Sequence, residues 1–419
     1  MIPYVGLSYF LLLLYPLAVL VALGVAGRLG RSAVLVVGAA IVLFEYAVPP
    51  ADADAAAGWR QLACLGAYTA ASVAAIAGYA AVRRRGDARW TFRAALALVL
   101  APVVAAKAYP VLRAHGLAGI AAAPAPRADA AGVPSVTAGF YGTFGFVGMS
   151  YMLFRVVDVL IALRDGVLRE RPGLGELASY LVFAPTISAG PIDRFARFRK
   201  DWRALPRGRA DYLADVAAGI DRLAQGFLYK FILAYLIHRH LLRPLGTRHG
   251  FVAGVEYMYA FSLYLFFDFA GYSAFAIGVG RFFGVHVPEN FDAPFRSRSF
   301  REMWDRWHIS LSWWLRDHVY MRFMLAAGRR KWFGGDRWRA HVAALVLTMG
   351  LMGCWHGLEP QYVVYGLYQG SMLVAYDAFG RWKGRPRLGG RAGDVVALVL
   401  TFHLFCFGLL IFSGRLFRP

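Results

Sequence analysis

Long apolar runs recur along this chain at 3–27, 32–49, 61–82, 92–112, 139–163, 214–237, 251–283, 341–358, 361–379 and 393–413. About 18 apolar residues suffice to cross a hydrocarbon core of about 30 Å as a helix. The pattern therefore predicts an all-α, polytopic membrane protein with about ten spans, or 10–12 if shorter stretches also cross. Those stretches, 114–125 and 177–192, read as buried or re-entrant segments. The first run is too long for a secretory leader and has no small-residue cleavage site, so it reads as a retained span.

Only 17% of the 419 residues are charged, against about 25% in soluble domains. A net charge of +21 raises the question of nucleic acid. The basic residues, however, gather between spans: Arg28 and Arg31, Arg83 to Arg93, Arg164 to Arg171, Arg194 to Arg209, Arg281 to Arg339 and Arg381 to Arg391. The acidic loop 50–58 and the Pro/Ala-rich stretch 107–137 are poor in them. That alternation is the positive-inside pattern of a membrane protein, with both termini outside if 177–192 does not cross. Cys64, Cys354 and Cys406, an odd number, lie in apolar stretches with wide spacing, which argues against a disulfide framework or a metal cluster.

No internal repeat is visible, and the chain reads as one membrane domain: N-terminal helices at 1–163, a catalytic core at 176–380 and a C-terminal span in 381–419. Residues 1–163 are expected to be nearly free of unusual polar groups. From about 176 polar residues interrupt the apolar runs, which points to function there, because ionisable groups at membrane depth are costly. Ala184-Pro185-Thr186-Ile187-Ser188-Ala189-Gly190-Pro191-Ile192 fits a re-entrant segment, or an ordinary turn between helices. Asp268, inside Tyr264-Leu265-Phe266-Phe267-Asp268-Phe269, needs a partner; a tie to an Arg or a helix N-terminus stands beside a direct role in chemistry.

Two histidines carry candidate chemistry. Ser299 with Glu302 three residues on forms a capping-box signature, and Phe300, Trp304, Trp307, His308, Leu311 and Leu315 share one face at helical spacing. One amphipathic helix is predicted, with His308 on its apolar side, where a lone histidine is either a satisfied core residue or a catalyst. His356 lies fifteen residues beyond His341, about 22 Å along a helix at 1.5 Å per residue, deep in the membrane. An unpaired imidazole is costly there, and the neighbouring glycines permit close approach of backbone or substrate. Cys354 is the rival nucleophile, on a different helix face.

These segments carry a resemblance. Glu289-Asn290-Phe291 through Arg306-Trp307-His308-Ile309-Ser310-Leu311-Ser312, followed by Gly353-Cys354-Trp355-His356-Gly357, is similar to the core of the membrane-bound O-acyltransferase (MBOAT) superfamily. Ser188-Ala189-Gly190-Pro191-Ile192 and Asp268-Phe269-Ala270-Gly271-Tyr272-Ser273 add to the match, which covers roughly 180–380. Trp314-Leu315-Arg316-Asp317-His318-Val319-Tyr320-Met321-Arg322-Phe323 resembles the D-alanyl transfer (DltB-type) branch; the Tyr-Ile-Pro-Leu-Gly-Gly-type continuation of the exopolysaccharide acetylases is absent.

The resemblance implies a helical fold with re-entrant and horizontal helices around a central tunnel, in the cytoplasmic membrane of a bacterium. It implies transfer of D-alanine from a thioester on the phosphopantetheine arm of an acidic, cytoplasmic carrier protein to a hydroxyl of an extracytoplasmic envelope polymer or relay protein. His356 is then the general base and His308 the residue that orients or polarises; Trp304, Trp307, Ser310, Trp355 and Asp268 line the donor path. No bound cofactor, metal or nucleic acid is expected: the HExxH zinc signature is absent, and His238 and His240 read as a membrane-edge pair. Val319, Met321, Arg322 and Met324, followed by Arg329-Arg330-Lys331, form either a carrier-docking patch or an interfacial helix whose cations snorkel to headgroups. Acetylation of an exopolysaccharide such as alginate is the alternative enzyme reading. A proton-coupled transporter using Asp268, His308 and His356 is the alternative of another class, with the missing inverted repeat against it.

Overall fold

Helix follows helix wherever an apolar run predicts one. The computed structural model describes residues 7–47, 55–84, 88–114, 145–205, 207–382 and 390–417. The acidic part of loop 50–58, all but the first residue of the segment 114–125 expected to be buried or re-entrant and of the Ala-rich stretch 114–138, and the start of the run at 139–163 lie outside the described residues.

The first helices are α1 (Leu7–Val25), α2 (Arg31–Ala47), α3 (Ala55–Arg83), α4 (Arg89–Ala114) and α5 (Met149–Arg164). Two short ones follow, α6 (Leu174–Leu181) and α7 (Phe195–Arg203). Then come α8 (Arg209–Gly226), which runs on through π-helical turns at Phe227–Ala234 and His238–Leu242, and the long α9 (Phe251–Phe282). The remainder is α10 (Phe300–Arg306), α11 (Ile309–Leu315), a π-helical turn at Arg316–Tyr320 leading into α12 (Met321–Arg329), α13 (Arg337–His356), α14 (Pro360–Arg381) and α15 (Gly390–Phe412). Among the described residues, four stretches are long and apolar enough to cross a membrane by themselves: Gly58–Arg83, Arg89–Tyr109, Phe251–Phe282 and Gly390–Phe412. The other helices carry more polar residues or are shorter.

The chain forms two compact units, Met1–Leu228 with Gly271–Pro288, and Tyr229–Ala270 with Glu289–Pro419. Each unit is built from segments far apart in sequence.

In the first unit, the expectation that 1–163 lacks unusual polar groups is corrected. Glu45 is buried and accepts from the Tyr9 hydroxyl at 2.5 Å. Arg155, 1% exposed, sits under the broken segment, where α6, a 3-10 turn at Ala184–Thr186 and a cis Gly190–Pro191 bond succeed one another. Its guanidinium donates to the carbonyls of Tyr180 (3.0 Å), Leu181 (2.9 Å) and Thr186 (2.7 Å) and to the Thr186 hydroxyl (2.5 Å). The physical reason lies in the breaks: a backbone interrupted by Pro and Gly strands carbonyls that cost about 1–3 kcal/mol each if left unpaired in an apolar surround. One turn further along α5, Asp158 takes the Arg194 guanidinium and the Phe195 amide, both at 2.9 Å.

In the second unit, α13 and α14 pack backbone to backbone as a helical hairpin. A methyl group on Gly353 would lie 2.3 Å from the Tyr362 carbonyl, and one on Gly366 would lie 2.4 Å from that of Met349. Gly353 therefore serves helix packing, which answers the question that sequence left open between backbone and substrate approach. Asp268 is ion-paired with Lys230, from the first π-helical stretch. The partner is a lysine, where an arginine or a helix end was expected.

Candidate active site

His308 does not ride on a continuous helix, as its spacing predicts. α10 begins as expected, with the Ser299 hydroxyl accepting from the Glu302 amide at 3.0 Å, but it stops at Arg306. Trp307 is extended, and His308 adopts the left-handed conformation at φ 44°, ψ 50° before α11 begins. The cause is the strand-like segment around Asn290. Phe291 and Trp307 form an antiparallel bridge, Asp292 N donates to the Arg306 carbonyl at 3.0 Å, and Ile309 N donates to the Asn290 carbonyl at 3.0 Å. The Ser310 hydroxyl donates to Asn290 Oδ1 at 2.6 Å. These bonds replace the helical ones that residues 306–310 give up, and they hold a non-glycine residue in a conformation that costs about 1–3 kcal/mol. Strain of this kind collects at functional sites.

The break aims the His308 ring inward. The residue is 4% exposed, and Phe269 meets its ring edge to face at 4.8 Å. Among the described residues its Nε2 is buried without a hydrogen-bond partner, which few buried polar atoms in native proteins are.

His356 is the last residue of α13. The Asp336 carboxylate starts that helix by accepting from the amides of Trp338 (2.8 Å) and Arg339 (3.2 Å), and extended backbone at Gly357 ends it. Pro360 then opens α14 at a position where a missing N–H costs nothing. Twenty residues of helix thus carry His356 as far from the basic end as the sequence spacing predicts. Its ring packs against Trp355 (4.6 Å), Phe412 (4.9 Å) and Tyr365 (6.2 Å).

Both histidines line one cavity of about 60 Å³, together with Leu265, Phe269, Trp304, Trp307, Leu311, Met352, Tyr365, Leu409 and Phe412. The space is small and its walls are otherwise apolar or aromatic. Of the residues expected on the donor path, Trp304 and Trp307 are on this wall. Trp355 stands 6.2 Å from the His308 ring, between the two imidazoles in the contact chain. Ser310 instead ties down the break through Asn290, and Asp268 faces Lys230. Cys354 is not part of the wall.

Sequence reasoning missed Asn290 as the residue that shapes the break, and it missed Gln369. The latter is fully buried on α14 and accepts from Trp304 Nε1 at 3.3 Å. Gly408 leaves it room, since a methyl group there would lie 2.5 Å from Gln369 Nε2. A glutamine inside an apolar run was the available signal.

Val319, Met321, Arg322 and Met324 lie on the π-helical turn and α12. Met321 is 46% exposed, and nearby Leu325, Trp332 and Phe333 are also exposed. Val319, Arg322 and Met324 are half-buried.

Helices long and apolar enough to cross a membrane, with two histidines on one small apolar cavity, define the class of multi-pass membrane proteins with a site inside the helical body. The profile described as MBOAT, membrane-bound O-acyltransferase family, matches residues 149–411, and the chain belongs to that family. It is a multi-pass membrane enzyme, an O-acyltransferase. It is 37% identical over 355 residues to a protein of Bacillus subtilis (strain 168) named teichoic acid D-alanyltransferase, covering 84% of this chain and 85% of that one. A protein of the same name from Lacticaseibacillus rhamnosus is 39% identical over 65% of this chain and 70% of its own. A probable alginate O-acetylase of Pseudomonas syringae pv. tomato is 32% identical over 64% of this chain and 49% of its own.

Proposed function

We propose that this enzyme transfers D-alanine from the phosphopantetheine thioester of a cytoplasmic carrier protein to a hydroxyl on an extracytoplasmic, teichoic-acid-like polymer, in the cytoplasmic membrane of a bacterium. The observation that carries the reading is the shared cavity, with His308 and His356 on the wall of one small apolar space. The names and coverage of the relatives favour D-alanine over acetate.

The chemistry follows from two imidazoles and an apolar wall. The acceptor hydroxyl gives its proton to His356 as its oxygen bonds to the thioester carbonyl carbon. The tetrahedral intermediate collapses with loss of the C–S bond, and the leaving thiolate takes the proton back from the imidazolium, which leaves an ester and a free thiol. General base catalysis of this kind contributes about 10²–10⁴-fold. His308, whose Nε2 has no hydrogen-bond partner among the described residues, orients or polarises the thioester. The aromatic wall excludes the water that would hydrolyse the acyl group, and the family tunnel brings the arm in from one side and the acceptor from the other.

Docking of the carrier is assigned to Val319, Met321, Arg322 and Met324. Exposed Met321 offers an adaptable apolar contact, and the cations of 329–331 steer an acidic partner.

The test is transfer of radiolabelled D-alanine from alanyl carrier protein in proteoliposomes. Wild type and Cys354→Ala form alkali-labile ester, and His356→Ala forms none at matched expression. Near-normal turnover by His356→Ala refutes the base assignment, a dead Cys354→Ala beside it points to a thiol nucleophile, and vectorial uptake without ester points to a transporter.

A further inference from the structure

Fifteen residues before His356 on α13, His341 belongs to a second cavity of a different character. It measures about 300 Å³ and is walled by Arg301, Arg337, Trp338, His341, Asp377 and Arg381. Its one carboxylate is already engaged: an Arg301 nitrogen lies 2.7 Å from both Asp377 oxygens, and His341 Nε2 lies 2.8 Å from Oδ2. His341 Nδ1 faces the Tyr320 hydroxyl at 2.7 Å, which fixes the ring from its other side. Arg381 stacks on Trp338 with its guanidinium carbon 4.7 Å from the ring centre. Stacking uses the guanidinium face and leaves its N–H edge available. Among the described residues neither Arg337 nor Arg381 has a carboxylate partner. Three guanidinium groups against one carboxylate leave a concave site with two uncompensated positive charges.

We propose that this cavity binds a phosphate ester. Arginine forks match phosphate oxygens in charge and geometry, and two of them on one concave wall select a group with several acceptor oxygens. Two sources carry that chemistry, the phosphate at the base of the donor arm and the headgroup of an anionic phospholipid. The assignment to the donor arm rests on the carrier-thioester reading above and on two further observations. Tyr320, which abuts His341, lies between Val319 and Met321 of the docking segment, so a docked carrier presents its phosphate beside the cavity. The axial distance from His341 to His356 is about 22 Å. An extended pantetheine arm spans roughly 15 Å, at 3.3–3.6 Å per three bonds, and an arginine side chain at one end with an imidazole at the other closes the difference.

The experiment measures binding of 4′-phosphopantetheine and of pantetheine to the full-length protein in phosphatidylcholine nanodiscs, by calorimetry and ³¹P line broadening. Wild type binds the phosphorylated compound roughly tenfold more tightly, the scale of one good charge-assisted contact. The double variant Arg337→Gln/Arg381→Gln loses that preference. Both arginines are exposed and, among the described residues, make no ion pair, so the variant folds; monodisperse elution and an unchanged thermal midpoint verify this. If wild type shows no preference, but native mass spectrometry from phosphatidylglycerol nanodiscs finds a bound lipid that the variant sheds, the phosphate is a headgroup's and the site stands. If neither ligand depends on the two arginines, the proposal is overturned. Failure of the functional reading registers elsewhere, as no ester from alanyl carrier protein, while this binding test keeps its answer.

Discussion

Replacing His308 by alanine and by glycine separates the two things the residue does. Both variants remove the imidazole and its edge-to-face contact with Phe269; they differ in what they do to backbone held at φ 44°. The left-handed conformation costs a residue with a Cβ about 1–2 kcal/mol. Glycine escapes that cost but gives back about 0.5–1 kcal/mol through the freedom of its unfolded chain. At the middle of both ranges, about 1.5 less about 0.75 kcal/mol, the glycine variant should be the more stable by about 0.75 kcal/mol. For domains of 150–250 residues each kcal/mol moves the midpoint by about 2–4 °C, so a difference of ~1–2 °C is expected at most in this larger chain. Intrinsic tryptophan fluorescence during a thermal ramp in detergent resolves that. Ester transfer should be severely and equally reduced in both, since neither carries a ring. An alanine variant as stable as the glycine variant refutes the strained break, and a glycine variant that regains transfer refutes any need for the His308 imidazole.

Asn290→Ala and Ser310→Ala should each destabilise by about 1–3 kcal/mol, because each removes one side of a buried 2.6 Å bond; the double variant should cost less than the sum, as measured by a double-mutant cycle, and strict additivity would mean the bond does not hold the break. His286 lies 2.8 Å by Nε2 from Asp215, donates its backbone amide to Asp201, and faces Arg207, while Arg281 pairs with the same Asp215 carboxylate. Hydrogen bonds to Asp201 and Asp215 outweigh burial and raise its affinity for a proton above that of an ordinary imidazole. Its contribution to stability is therefore fully present below about pH 6.5 and lost as pH rises through the higher folded-state value; His286→Asn should be destabilised most in that acid range and match wild type at alkaline pH, and a pH-independent deficit would show the histidine to be neutral throughout. A charge at Met321 or Met324, or reversal of Arg322, should weaken carrier binding and transfer without unfolding, and raised salt should slow association; wild-type pull-down by these variants would leave α12 as a lipid-facing helix and move docking to another basic loop.

Much of this protein is legible without a structure, for a physical reason. A bilayer imposes length and apolarity on each crossing independently of every other, so α3, α4, α9 and α15 announce themselves in the local pattern. The two histidines are legible because an ionisable ring in an apolar run is expensive wherever it stands, and the spacing from His341 to His356 survives folding because a straight helix converts residue count into distance. What the sequence cannot state is anything settled by a partner far along the chain. The helix expected through His308 is cut because Asn290 and Phe291 take over its backbone bonds, a competition invisible to periodicity. Arg155 reads as one basic residue in a span until the Pro-broken turn puts stranded carbonyls around it. Asp268 is assigned to Lys230, and Gln369 to Trp304, only by packing. Local pattern determines which segments are helical and which residues are costly, since those are properties of a residue and its solvent. Tertiary structure decides which costs are met by a neighbour and which, as at His308 Nε2 among the described residues, are not.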